Sequence, residues 1–319
     1  MRLLKDVERQ GTDDMPSLSS QQPTSTNKYA DSVLTFAVLL ASTLLVPHST
    51  TAGEGWFRSI LERDPEEDPF EERIETDRHD FTQSSRTVGR GVVQTELGYS
   101  YFYKDTEEEL ENAHTTPEMM VRVGLTDRLE FRTRWNYAWQ FRNSEEEHHD
   151  SNGAEDLRFS IKYELCEGKG WIPEGALRLG WTAPSGGSAF TTGRVEPSID
   201  YIFTYELAER VYLSGSAGVS SNGAGDFSLA GEGGEATGDF QAWSQSLALG
   251  LPVTERSELY VEWYGIFSNG ADDEFSLSFF NIGVDYYLTK NIVADFRVGK
   301  GLTTDSDDFF GGIGGGFRF

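Results

Sequence analysis

The stretch LEFRTRWNYAWQFR, residues 129 to 142, separates into two faces when every second residue is read. A β-strand sends alternate side chains to opposite faces. The odd positions carry five aromatic residues, whereas the even positions carry three arginines and a glutamate. A strand in a soluble domain rarely alternates over such a length with three guanidinium groups on one side. The rest of the chain must therefore indicate which solvent each face meets.

The same alternation returns in eleven further segments, and the connections between them alternate in length. Short turns such as 126–128 and 208–210 alternate with long acidic or glycine-rich segments such as 104–117 and 143–153, and the connection around Cys166 is the exception. An even strand number with short turns at one end is typical of outer-membrane barrels. We predict an all-β, transmembrane, antiparallel up-and-down β-barrel of the outer-membrane type over residues 92–319. Its twelve expected strands are 92–103, 119–125, 129–142, 157–165, 175–183, 195–207, 211–219, 240–253, 258–267, 280–288, 291–302 and 309–319.

Composition narrows the classes of partner. The formal charge of -26 argues against a nucleic-acid partner, because phosphate binding needs a basic surface. The single cysteine, Cys166, excludes an internal disulfide framework. The mean hydropathy of -0.47 is low, but alternating barrel strands have a low average hydropathy as well. The composition is therefore compatible with a barrel.

The two ends of the chain carry targeting signals. An apolar run at 32–46, followed by small residues with Thr50 and Ala52 in the usual cleavage positions, predicts a cleaved signal peptide over residues 1–52, with a retained membrane anchor as the alternative. Residues 53–91 are charged and lack a period, which favours a flexible periplasmic lead-in over a folded plug. The final GGGFRF places Phe317 and Phe319 on the apolar face, which resembles the signal read by the barrel assembly machinery.

Catalytic and metal-binding patterns are weak. A nucleophilic mechanism needs a base near Ser or Thr, and no histidine falls on a predicted strand. Neither an HExxH nor a GxSxG motif is present. His148 and His149 lie in an acidic stretch that could bind a divalent metal, although a solvated loop with incidental histidines is the favoured interpretation. We expect no enzyme activity, no cofactor and no resident metal.

Parity assigns many charged side chains to the inside of the barrel. Opposed walls of opposite charge would create a transverse field across a narrow pore. The alternative is that these charges pair and fill the lumen as a static network. The predicted basic wall is Arg122, Arg132, Arg134, Arg158, Lys162 and Arg178. The predicted acidic wall is Asp200, Glu258, Glu262, Asp285 and Asp295, and the inward tyrosines are Tyr212, Tyr260, Tyr264 and Tyr287.

Small inward residues bear on whether the lumen is open. Several strands carry glycine at inward positions, which favours some free lumen, whereas Arg132 and Arg134 argue for a filled one. Both alternatives stay open at this point. The inward glycines are Gly98, Gly124, Gly180, Gly218, Gly250, Gly312, Gly314 and Gly316.

Residues 75–101, ETDRHDFTQSSRTVGRGVVQTELGYSY, resemble the opening of the putative MetA-pathway phenol-degradation family. That family shares an acidic D-R-P-D-F-T segment, a T-V-x-x-G turn and a strand with Q-x-E-x-G-Y. The resemblance extends through most of the chain to 319, but His79 replaces the usual proline and WTAPSGG (181–187) is only a loose form of the family's P-x-G segment. It implies an outer-membrane protein linked in some members to aromatic catabolism. The family-motif residues are Asp77, Arg78, Asp80, Phe81, Thr82, Gln94, Glu96 and Gly98.

These observations lead to an expected function. We predict a monomeric outer-membrane channel through which small solutes, aromatic compounds among them, pass passively. The alternative is a closed structural or surface-binding barrel without transport activity. The expected partners are outer-membrane lipid, lipopolysaccharide, the barrel assembly machinery and a small-molecule solute.

Overall fold

The structure, a computed structural model, describes residues 68–144, 147–221, 240–271 and 274–319. The predicted signal peptide and residues 53–67 lie outside the described residues. No helix in the described ranges is long and apolar enough to cross a membrane. The strands are β1 Val93–Asp105, β2 Glu109–Gly124, β3 Leu129–Ser144, β4 His148–Ala154, β5 Leu157–Cys166, β6 Glu174–Ala183, β7 Pro197–Ala208, β8 Val211–Ser221, β9 Gln241–Thr254, β10 Ser257–Asn269, β11 Ser276–Thr289, β12 Ile292–Gly301 and β13 Phe309–Arg318.

Antiparallel pairing closes these strands into one barrel. The first strand pairs with β2 on one side and with β13 on the other, and every other neighbouring pair is antiparallel as well. β3 pairs with β5 over its first residues, 129–134, and with β4 over its later residues, 137–143. β4 and β5 are thus successive parts of one strand interrupted at Glu155 and Asp156. The barrel has twelve strands, as the alternation predicts.

The alternation in β3 corresponds to the two sides of the barrel wall. The even positions from Glu130 to Gln140 are buried, whereas the odd positions from Leu129 to Phe141 are partly exposed on the outer face. Large apolar side chains of the other strands are exposed on the same outer face, as a lipid-facing surface requires. Examples on this face are Trp243, Phe280, Ile282, Phe296 and Ile313.

Two segments expected as long loops are strands instead. Residues 104–117 form a hairpin in which β1 and β2 pair up to Asp105 and Leu110, and most of 143–153 forms the end of β3 together with β4. His114, His148 and His149 therefore lie on strands, which corrects the expectation that no histidine does. The reason is that hydrophobic alternation ends where the membrane ends, although the backbone ladder continues into water.

Residues 74–88, which we call the inner segment, lie inside the barrel. The inner segment begins at the end of the barrel where the short turns lie, and the Ile74 N–H there donates to the Lys290 carbonyl at 2.8 Å. It extends to Phe81, which stacks on Tyr264 of β10, and then returns along β5 and β3, where Thr87 and Val88 donate to Glu164 and Glu130, before β1 begins. Most of its side chains are buried. The sequence favours a flexible lead-in, but these residues are buried in the lumen. Their polar groups match a polar lumen rather than an apolar core, and such a match leaves no hydrophobic pattern in the sequence.

Candidate functional site

Glutamates of the barrel wall hold the backbone of the inner segment. Glu96 of β1 accepts hydrogen bonds from the N–H groups of Asp77 and Arg78 at 2.9 and 2.8 Å. Glu262 of β10 accepts from the N–H groups of Phe81 and Thr82. Two further glutamates hold the returning limb, so the segment is bound on several sides of the lumen. Glu164 accepts from the Thr87 N–H, and Glu130 from the Val88 N–H.

Asp77 of the inner segment lies on a group of three cations that we call the basic cluster: Arg122, Arg132 and Lys162. Its carboxylate is 3.3 Å from each arginine and 3.0 Å from the Lys162 Nζ. The same carboxylate accepts the Ser84 N–H at 2.8 Å, which fixes the turn of the segment. Burial alone would raise the pKa of Asp77, but the charges of the basic cluster outweigh burial and lower it. Asp77 is therefore a carboxylate at neutral pH.

Arg78 points to the opposite side and contacts acidic groups. Its guanidinium pairs with Glu118 at 2.7 Å and with Asp295. It lies flat against Gly98 and Gly314, which are register partners on β1 and β13. A Cβ at either glycine would lie 2.2 Å from a guanidinium nitrogen. The two glycines thus form a window that admits the arginine.

The other inward glycines are also used for close packing rather than for open space. An added Cβ at Gly124 would meet the Gly89 carbonyl, and one at Gly316 would lie 2.6 Å from the Thr76 methyl group. The added atom at Gly180 would meet Ser198, at Gly218 Asp200, at Gly250 Glu258, and at Gly312 Ser100. The inference that small inward residues favour a free lumen was therefore wrong, because neighbouring side chains and the inner segment fill the space.

His79 contacts an acidic pair on the wall. Asp285 and Asp295 face each other across β11 and β12, and the His79 Nε2 lies 3.1 Å from Asp285. Burial alone would lower the pKa of His79, but the charges of Asp285, Asp80 and Asp295 outweigh burial and raise it to about 10. Its Nδ1 lies 3.2 Å from the Thr76 hydroxyl. A protonated imidazole cannot act as a base toward that hydroxyl.

The retention of the inner segment should depend on pH. The folded-state pKa of His79 is raised, so its contribution is complete below its ordinary pKa of 6.5 and is lost as pH rises through about 10. Asp77 acts in the opposite sense, because its contribution is complete above 3.8 and is lost as pH falls further. We expect trypsin cleavage after Arg78 to increase roughly tenfold or more from pH 7 to pH 10, relative to cleavage after the exposed Arg90.

The matched control for the pH experiment is His79→Gln. This variant should be cleaved faster at pH 7 and should show little further change up to pH 10, since the titrating group is gone. A wild-type ratio of cleavage after Arg78 to cleavage after Arg90 that is the same at pH 7 and pH 10 would contradict the role given to His79.

The remaining members of the two predicted walls do not form simple opposed surfaces. Arg178 pairs with Asp200 on the neighbouring strand at 2.7 Å, and Arg158 lies 3.6 Å from Glu155. Glu130 stands within the basic cluster, 3.1 Å from Arg122. Charges of both signs therefore alternate around the wall, and the inner segment pairs with each. Of the other predicted residues, Glu258 and Tyr212 are partly exposed, and Tyr260, Tyr264 and Tyr287 are buried.

Aromatic side chains fill the lumen beyond Phe81 of the inner segment. Phe81 stacks on Tyr264 with ring centroids 4.6 Å apart. Tyr264 in turn stacks on Phe279 at 4.8 Å, and Phe279 meets Phe310 edge to face at 5.8 Å. We call Tyr264, Phe279, Phe310 and the adjoining Phe102 the aromatic cluster. Sequence reasoning missed Phe279 and Phe310, although extending the alternation of 280–288 by one residue would have placed Phe279 inward.

A cavity of about 480 Å³ remains at the end of the barrel where the short turns lie. It separates the first limb of the inner segment from the returning limb and the wall. Charged residues of both signs line it, including Arg86, Glu174 and Arg318. Arg86 of the returning limb pairs with Glu174 of β6 at 2.6 Å and with Glu72, which precedes the inner segment. The inner segment is thus bordered by a polar space on this side and by the aromatic cluster on the other.

Other predicted features are placed as follows. Among the described ranges, no group of three or more His, Cys, Asp or Glu side chains is arranged to hold a metal ion. His148 lies 3.4 Å from Asp150 at an exposed position. Phe317 and Phe319 are exposed on the outer face, with ring centroids 6.3 Å apart. The motif residues Gln94 and Glu96 are buried and hydrogen-bonded to each other at 2.8 Å.

Comparison with known families gives a match over most of the chain. The family described as "Putative MetA-pathway of phenol degradation" matches residues 76–319. That range begins within the inner segment and ends at the last residue of the chain. No curated protein matches the sequence.

Solved structures resemble the barrel at low sequence identity. An outer membrane channel from Pseudomonas putida F1 superposes with a TM-score of 0.57 at 13% identity, covering 74% of this chain and 98% of that one. The translocator domain of the autotransporter NalP from Neisseria meningitidis gives a TM-score of 0.47 at 11% identity, covering 92% and 100%. At such identities, the first likeness shows the outer-membrane barrel fold and nothing finer.

Proposed function

Since this chain belongs to the family described as "Putative MetA-pathway of phenol degradation", we propose that it is an outer-membrane channel for small solutes, closed by its own inner segment. Solutes pass passively when the segment leaves its seat in the lumen. The barrel wall is complete without the segment, because β1 pairs directly with β2 and β13. Opening therefore does not require the barrel to unfold.

One observation carries this proposal: polar contacts hold most of the inner segment. Four of its N–H groups and the Arg78 guanidinium meet the wall carboxylates Glu96, Glu118, Glu262 and Asp295. Water can replace such hydrogen bonds at small net cost, since folding exchanges one set of hydrogen bonds for another. A segment held in an apolar core would lose far more on leaving. Polar seating therefore supports a reversible closure.

We propose in addition that the solutes include small aromatic compounds. A solute entering the lumen beyond a displaced inner segment would meet the aromatic cluster, whose ring faces could contact a small aromatic compound. The acidic and basic side chains next to it would bind the polar substituent of such a solute. The family description is consistent with this class, although it speaks of a degradation pathway and not of transport.

A second candidate is a permanently closed barrel with a structural or surface-binding role. The aromatic cluster favours it, because Phe81 stacks on Tyr264 and extends the packing across the lumen. In that case the inner segment would be part of the fold, and its removal would destabilise the barrel without creating a path. The flux experiment below separates the two candidates.

We also propose that the chain is exported and assembled in the outer membrane. Residues 1–52 act as a cleaved signal peptide, and Phe317 and Phe319 form the terminal signal for the barrel assembly machinery. The exposed apolar outer face fits lipid, and the acidic outer hairpins would meet lipopolysaccharide through divalent cations. The barrel acts as a monomer.

Displacing Arg78 should open the channel without deleting any residue. In Gly98→Val the new side chain occupies the place of the guanidinium, 2.2 Å from its nitrogen. Arg78 then loses its position beside Glu118 and Asp295, and the segment is released more often. We expect liposomes containing this variant to take up small aromatic and polar solutes several-fold faster than those containing the wild type.

The matched control is Gly311→Val, which changes a glycine in β13 on the lipid side. An added Cβ there meets nothing closer than 3.5 Å, so uptake should equal that of the wild type. Equal uptake by Gly98→Val and Gly311→Val, with both barrels folded, would support the permanently closed barrel. Uptake of polar solutes without aromatic ones would remove the aromatic part of the proposal.

A further inference from the structure

One buried guanidinium in the lumen has no partner. Arg134 of β3 is only 9% exposed and its Nε has no hydrogen-bond acceptor. In the part of the chain that the structure describes, it takes part in no hydrogen bond and no ion pair. The two carboxylates that attract Arg134 both pair with other arginines. Glu118 pairs with Arg78 at 2.7 Å, and Glu155 lies 3.6 Å from Arg158.

The surroundings of Arg134 are more basic still. Arg158 is its register partner on β5, while Arg132 lies one inward position away on the same strand. Arg132 and Arg178 have carboxylate partners in Asp77 and Asp200. Arg134 is thus the member of the predicted basic wall that forms no direct ion pair, and Glu118 and Glu155 attract it only from a distance. A buried charge without a counter-ion is unfavourable, because its desolvation is not offset.

A small cavity lies directly against this group. Its volume is about 20 Å³, and Arg132, Arg134, Arg158 and Arg178 line it together with polar and apolar side chains of β5, β6 and β7. Ser198 contributes a hydroxyl from β7. Such a volume holds one water-sized particle. Three of these four guanidinium groups have a carboxylate partner, so the positive charge left without a direct ion pair beside this space is that of Arg134.

We propose that this cavity is a binding site for one small monovalent anion of about the size of chloride, with Arg134 as its principal ligand. The anion supplies the direct ion pair that the protein does not. Charge-assisted hydrogen bonds from guanidinium groups to an anion are among the stronger polar contacts. The inference concerns binding to the closed protein, and it does not depend on whether the barrel transports solutes.

The test compares anions at constant ionic strength. The full mature chain is kept in detergent at a fixed total salt concentration, and sodium chloride replaces sodium gluconate mole for mole. The midpoint of thermal unfolding is measured at each chloride concentration. Gluconate is too large for the cavity and serves as the reference anion. We expect a saturable rise in the unfolding midpoint with chloride, on the order of 2–4 °C, because a ligand that binds only the folded state stabilises it.

Two variants locate the effect. Arg134→Gln should lose the chloride-dependent shift, whereas Arg142→Gln, on the same strand near the rim, should keep it. Identical wild-type midpoints in chloride and gluconate would overturn the proposal, and so would a full shift in Arg134→Gln. If Arg134→Gln does not fold, the wild-type titration alone still decides between binding and no binding.

Discussion

Removing residues 53–91 is expected to convert a closed barrel into a conducting one. The deletion takes away the inner segment with Asp77, Arg78 and His79, and water then hydrates the wall carboxylates that held it. Ions pass where a lumen is hydrated, so we expect steady single-channel steps in planar bilayers. Their conductance should exceed that of the full chain by a factor on the order of ten or more.

The strands themselves should survive this deletion. All twelve close on each other through the β1–β13 pairing, which begins after Val92. A deletion of residues 53–67 is the matched control, because it removes none of the lumen contacts described above. It should leave the conductance at the level of the full chain. A folded 53–91 deletion that does not conduct would show that the wall side chains and the aromatic cluster seal the barrel unaided.

Asp77→Asn should be strongly destabilising. The substitution keeps an acceptor for the Ser84 N–H but removes the negative charge shared by the basic cluster. Removing one charged partner from a buried ion-pair network lowers the free energy of unfolding by about 3–5 kcal/mol, because the remaining buried charge is uncompensated. We expect a loss of about that size in the free energy of unfolding, measured by urea titration of the refolded protein.

Glu167→Ala is the control for this variant. Glu167 pairs with Arg128 at 2.8 Å, but its side chain is 72% exposed. Exposed pairs contribute roughly 0–1 kcal/mol, so the loss should be small. A loss below about 1 kcal/mol in Asp77→Asn as well would mean that the basic cluster is compensated by Glu130 and Glu96 alone.

The sequence predicts the barrel wall well because the membrane imposes a strict rule on it. Each strand from 129–142 onward must turn apolar side chains to lipid, so parity alone identifies the inward face. The rule fails at the outer hairpins, where both faces of β2 and β4 can meet water. His114 and His148 were missed on strands for that reason.

The inner segment follows no comparable rule. Its partners are charges scattered over six or more strands, and neither periodicity nor apolar content indicates such a seat. Two signals could have suggested it. Glu118 and Asp295 are inward carboxylates without a basic residue opposite them in register, and they are the register partners of Gly98 and Gly314, which face each other across β1 and β13. Unbalanced carboxylates beside a glycine window indicate an arginine that comes from elsewhere.

The most direct test of a reversible closure is to lock the inner segment in place. A Cβ at Gly316 would lie 2.6 Å from the Thr76 methyl carbon, which brings two cysteine Cβ atoms within about 4 Å, a distance that suits a disulfide. The measurement is solute uptake by liposomes carrying Thr76→Cys/Gly316→Cys, with Cys166→Ser and Gly98→Val also present. We predict that the oxidised protein admits no solute and that a reductant restores the uptake of the Gly98→Val variant. A cross-linked protein that takes up solute as fast after oxidation as after reduction would contradict closure by the inner segment.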